Sequence, residues 1–127
     1  MAAPLYHTAE MVRAMPDDGN RCEVVYGELL VTPAPRLWHQ ALVIRLAAAI
    51  ERWLWDEPVG VVLTSPADIS WGRDVLVQPD VFVAAADEAR TLAWREVRTL
   101  LLVAEVLSPS TARADRVLKR VRYAAHT

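Results

Sequence analysis

Three residues of this chain have the types and surroundings for metal-assisted chemistry: Asp80, Glu105 and Lys119. Glu105 interrupts the apolar run Leu100-Leu101-Leu102-Val103-Ala104-Glu105-Val106-Leu107, which reads as a central strand. An ionised carboxylate buried there needs a cation, an ion-pair partner or exposure at the strand's end to offset its lost hydration. Ser108-Pro109 follows closely and puts Glu105 near the C-terminal end of the strand, where open α/β sheets gather their sites. Asp80 follows Pro79 in the preceding predicted strand. If the two strands are neighbours, both carboxylates lie on one face at one end, and such hard oxygen ligands suit Mg²⁺ or Mn²⁺. An ion of that kind polarises a phosphodiester and lowers the pKa of a bound water. A lysine beside that water can position it or stabilise the charge of the transition state. Lys119 is the single lysine in a chain with thirteen arginines. Arginine cannot take its place where an amine must lose or share a proton.

Each of these residues also has an ordinary reading. A Pro-Asp pair is common in turns. Asp115 lies four residues before Lys119, the favourable order for a helix ion pair of ~0.2–0.5 kcal/mol. His39 fits as a polar residue in a helix's first turn, and Glu28 as a cross-strand partner in a hairpin.

The elements that must position these residues follow from periodicity and turn signals. Residues 6–15 read as a short amphipathic helix capped by Thr8 and ended by Pro16-Asp17-Asp18-Gly19. Arg21 to Thr32 reads as a β-hairpin turning at Tyr26-Gly27, with Glu23 and Glu28 flanking the turn. Pro33-Ala34-Pro35 precedes a strong helix over about Leu37 to Trp55, apolar around most of its circumference, with Arg45 and Arg52 on its wet side. Two strands are expected at Val59–Leu63 and Ala67–Trp71, and a third at Val75–Val83. The period of two in that third strand puts Val75, Val77, Val81 and Val83 on one face, and Leu76, Gln78, Asp80 and Phe82 on the other. Asp87 to Val97 reads as a short helix capped by Asp87. Thr99 to Leu107 reads as a strand buried on both faces, and the last segment as a helix to about Ala125. The pattern predicts an α/β (α+β) fold: a central mixed sheet flanked by helices, with an N-terminal helix and hairpin.

Composition narrows the function classes. At 127 residues, 54% apolar and 24% charged, the chain reads as a single globular domain over 1–127. One cysteine excludes an internal disulfide framework. No signal peptide or membrane span is expected, so the reading is cytoplasmic. A net charge of −2 gives no global support for nucleic-acid binding. The basic residues concentrate late, as Arg113, Arg116, Lys119, Arg120 and Arg122 against Asp115. This is either a solvated helix face or a surface for DNA.

Five blocks resemble the Uma-two family of bacterial restriction endonuclease-like proteins, within the PD-(D/E)XK nuclease superfamily. They are Arg21-Cys22-Glu23-Val24-Val25-Tyr26-Gly27-Glu28-Leu29, then His39, then Val77-Gln78-Pro79-Asp80-Val81, then Val103 to Thr111, and finally Asp115 with Lys119. The resemblance implies a restriction endonuclease-like fold and an Mg²⁺- or Mn²⁺-dependent endonuclease acting on DNA. It makes Asp80 and Glu105 the metal ligands and Lys119 the catalytic lysine, moved from the position two beyond Glu105, where Leu107 stands. Glu28, His39, Gln78 and Asp115 take supporting roles, and Arg113, Arg116 and Arg120 are candidates for DNA contact. Members of the family continue into a further strand, so the chain is expected to be a C-terminally shortened member with an uncovered sheet edge. Cutting both strands of DNA would favour a homodimer. The rival expectation is an inactive relative that binds DNA or a protein. A more distant one is a hydrolase acting on something other than DNA.

Overall fold

A computed structural model describes residues 5–34 and 37–106. Helix α1 (Ala9–Arg13) is capped by Thr8, whose hydroxyl accepts a hydrogen bond from the Met11 amide at 3.3 Å. Its buried face, Ala9 and Val12, lies against Val24 and Leu76. The hairpin forms as expected, from β1 (Arg21–Val25) and β2 (Glu28–Thr32). Tyr26 and Gly27 both have positive φ (49° and 85°), the geometry of a two-residue type I′ turn. Gly27 is required on a second count: a Cβ there would lie 2.2 Å from the ring of Tyr6. The Tyr6 hydroxyl donates to Asp74, so the N-terminal segment is tied to the turn after Gly72.

Helix α2 (Leu37–Leu54) also matches its expected span and packs on β3 (Gly60–Thr64). Arg45 and Arg52 are exposed, as expected, but so are Trp38, Ile44 and Trp53. Among the described residues only Leu54 of this helix is buried.

The remaining strands differ from the expectation in an instructive way. Val75–Val83 is not one strand. It divides into β5 (Val75–Val77) and β6 (Val81–Ala85), with Gln78-Pro79-Asp80 between them. Pro79 has no amide hydrogen to give a ladder. The Gln78 amide donates to the Glu23 carboxylate at 2.6 Å instead of to a strand. The two pieces then enter different sheets. One is ordered β2-β1-β5-β4, with β4 spanning Ile69–Gly72, and the other β3-β6-β7, with β7 spanning Leu100–Ala104. All described pairings are antiparallel, so the expected central mixed sheet is here two antiparallel sheets in an α+β fold, compatible with the restriction endonuclease-like architecture.

Two further expectations need correction. The helix expected over Asp87–Val97 is only α3 (Ala86–Ala89), followed by a 3₁₀ turn at Trp94–Glu96. Its N-cap is Ala85, not Asp87, and Leu92 at φ 60° turns the chain out of helical geometry. Strand β7 is not buried on both faces: Leu101 and Leu102 are about half exposed, and β6 is its one described neighbour.

The core lies between the sheets. Val25, Val75 and Val77 from the first meet Phe82, Ala84 and Leu100 from the second. Alternation explains the sorting. In the first sheet Val24 and Leu76, which are register partners, face α1, while Val25, Val75 and Val77 face inward.

Candidate functional site

Register brings the two acidic residues together. In the β6–β7 pair Val81 lies opposite Ala104, so one step outward Asp80 faces Glu105. The Asp80 amide donates to Glu105 Oε2 at 3.4 Å, and the Val106 amide donates to Asp80 Oδ2 at 2.7 Å. Glu105 follows β7 and is half-buried, whereas Asp80 is 2% exposed. The strand-end placement of Glu105 expected from Ser108-Pro109 therefore describes its position.

The first sheet closes the site from the other side. Val24 lies opposite Leu76 in the antiparallel β1–β5 pair, and three residues back along β1 Arg21 reaches the level of Pro79. Its guanidinium Nη1 donates to Asp80 Oδ1. Arg21 Nε lies 3.7 Å from Glu23 Oε1. Glu23 is fully buried and fixes the Pro79 junction through the Gln78 amide. His39, from the first turn of α2, brings Nε2 to 3.6 Å from Asp80 Oδ2. The Gln78 side chain ties β1 to the segment before β4: its amide group donates to the Cys22 carbonyl at 3.0 Å, and its oxygen accepts from the Ala67 amide at 3.3 Å.

The charges settle one another. Burial alone would push the Asp80 carboxyl up, but the Arg21 guanidinium, the Val106 amide and Glu105 outweigh it and hold it below its ordinary value. Burial likewise works against the Arg21 cation, and the carboxylates of Glu23 and Asp80 reverse this and raise it.

The structure thus gathers Asp80, Glu105, His39 and Gln78 at one junction between the two sheets. Glu28 is not gathered there. It is exposed at the turn end of the hairpin opposite Val25, roughly 13 Å along β1 from Arg21 at ~3.3 Å per residue. Lys119, Asp115, Arg113, Arg116 and Arg120 lie outside the described residues. Two residues of the junction, Arg21 and Glu23, stand in the first family block but carry no site role in the expectation from sequence. A usable signal was present: opposite charges at i and i+2 share one face of a strand, and here that face continues into Val25.

As a metal site the donor set is lean. Among the described residues no three His, Cys, Asp or Glu side chains are grouped to hold an ion. Two adjacent carboxylates nevertheless fit Mg²⁺, which takes one or two from the protein and keeps waters or substrate phosphate in its other positions.

No helix among the described residues is long and apolar enough to cross a membrane. No curated protein matches the chain. Residues 9–127 match the model of the Uma2 family, whose description reads "Putative restriction endonuclease". That match runs through both halves of the acidic junction and almost the whole sequence, and the chain belongs to the Uma2 family of restriction endonuclease-like proteins.

Proposed function

We propose that this protein is a metal-dependent endodeoxyribonuclease that hydrolyses DNA phosphodiester bonds. The observation that supports this most directly is the meeting of Asp80 and Glu105 at a strand end, beside His39 and inside a ring of hydrogen bonds. Asp80 and Glu105 would hold Mg²⁺ or Mn²⁺, with the carbonyl of Val106 as a further ligand. The bound ion supplies Lewis-acid polarisation of the phosphate and a more acidic water. Asp80 enters this role ionised, because its surroundings hold its pKa down. Glu23 and Gln78 keep the Pro79 junction in place, and with it the direction of Asp80. Lys119 orients the water or the scissile phosphate, and Arg113, Arg116 and Arg120 contact the DNA backbone, where charge supplies affinity. Two copies acting together would cut both strands.

The test is nicking of supercoiled plasmid by purified protein with Mg²⁺ or Mn²⁺. Glu105→Ala and Lys119→Ala should each abolish it. Equal nicking by wild type and both variants would trace the activity to a contaminant and end the assignment.

A second reading, a non-catalytic module that binds DNA or a protein, draws on the hold that Arg21 has on Asp80 Oδ1. It predicts binding that weakens steeply with salt and takes no account of metal.

A further inference from the structure

An arginine already stands on the central carboxylate of the site. We propose that Arg21 is a resident counter-ion which a divalent metal must displace from Asp80, and so the positioning residue that sets the metal affinity of this centre. The inference rests on the metal-dependent reading above and gives that site its regulation.

The manner in which Arg21 is held points to exchange. Elsewhere the same residue pair serves as a tie: Arg13 grips Asp68 with a full fork, Nε to Oδ2 at 2.8 Å and Nη2 to Oδ1 at 2.7 Å. A two-point grip of that kind is the strong, orienting form of the contact. Arg21 reaches Asp80 through Nη1 alone. Its Nε is buried with no hydrogen-bond partner among the described residues, and the Glu23 carboxylate lies 3.7 Å from it. Arg21 is therefore held more by charge than by shape. Its side chain keeps 16% of its surface in contact with solvent, whereas Asp80 keeps 2% and Glu23 none, so the guanidinium has a way out that the acids lack.

The charge count explains why something must stand there. Glu23 and Glu105 accept from the amides of Gln78 and Asp80 on either side of Pro79, Arg21 stands between Glu23 and Asp80, and those last two acids are almost wholly removed from water. Carboxylates gathered at that depth need a cation. A divalent ion meets the same need with twice the charge. A guanidinium and a divalent cation on one carboxylate repel each other, so the two compete for Asp80. Arg21 thus preserves the acidic pocket without metal and opposes metal entry.

Calorimetric titration of Mn²⁺ into the full chain and its variants tests this. Arg21→Met removes the competing charge and should bind Mn²⁺ about tenfold tighter than wild type, ~1.4 kcal/mol. Arg21→Lys keeps the charge and should stay near wild type. A merely structural role for Arg21 would make the methionine variant bind more weakly or no differently. If Arg21→Met does not fold, Arg21→Gln keeps a donor without the charge and should tighten binding in the same direction. Heat from wild type with equal or weaker binding by the neutral variants overturns the inference and leaves the metal site standing. Heat from the neutral variant alone supports it strongly. No heat from wild type or any variant overturns the metal reading and the inference with it.

Discussion

Glu88 and Asp80 each accept several hydrogen bonds, and they are engaged in opposite ways. Glu88, on α3, accepts from the amides of Arg98 (3.0 Å) and Thr99 (2.7 Å) and from the Thr99 hydroxyl (2.9 Å). Its partners are neutral and lie next to one another in sequence, and its work is to fasten the loop that leads into β7. Asp80 has one oxygen on a guanidinium and the other on the Val106 amide, with a second acid beside it and an imidazole nearby. Both carboxyls are held below their ordinary values against the upward push of burial: Asp80 chiefly by the charge of Arg21, Glu88 chiefly by backbone amides. A shared pKa direction therefore does not separate a structural acid from a chemical one. The proposed role of Asp80 rests instead on a partner that can leave: peptide amides cannot, whereas a cation held through one contact, unlike the two-point grip of Arg13 on Asp68, can.

The largest effect that would break this contrast is in catalysis. Asp80→Ala and Glu105→Ala should each lower plasmid cleavage at least about a hundredfold, while Glu88→Ala leaves the specific activity of folded protein unchanged. A comparable loss in Glu88→Ala would erase the distinction. Next comes stability without metal. Arg21→Met takes the guanidinium away from buried Asp80 and should cost about 3 kcal/mol in urea unfolding with EDTA, much of it restored by Mn²⁺. Glu88→Ala should cost less, about 1–2 kcal/mol given its partial exposure, and Mn²⁺ should return none of it. The smallest effect is in acid. Each of these carboxyls has a folded pKa below its ordinary value of 3.8 for Asp80 and 4.5 for Glu88. The stability each contributes is present above that ordinary value and is lost as pH falls through the folded one. Thermal melts from pH 6 to pH 3 should therefore decline, and Glu88→Gln should flatten the decline partly, leaving the share that belongs to Asp80.

Much of the fold could be read in the sequence because local signals carried it. The Tyr26-Gly27 turn, the Thr8 cap and the long apolar run of α2 each sit where residue types alone put them. The Val75–Val83 segment misled for a physical reason. Alternation holds within β5, where Val75 and Val77 face inward and Leu76 faces α1, but the one break, Pro79, passes as part of a strand and resets the phase, so that Phe82 joins Val75 and Val77 in the core and not Leu76. The meeting of Asp80 with Glu105 could be anticipated because their strands are neighbours and each acid stands at the end of an apolar run. Arg21 could not be assigned the same way. The i, i+2 spacing of Arg21 and Glu23 marks a shared strand face, but that Arg21 reaches Asp80 depends on β1 pairing with β5, a contact across more than fifty residues.

The Pro79 break has a mechanical consequence. The two oxygens of Asp80 are fastened to different sheets, Oδ1 to Arg21 of β1 and Oδ2 to the chain leaving β7. The carboxylate acts as a rivet through both plates, and its two bonds can keep their lengths only while the plates keep their spacing. Phe82, two residues away and fully buried between them, is the spacer. A trimmed side chain there would reach the chemistry without touching it, as slack in the joint.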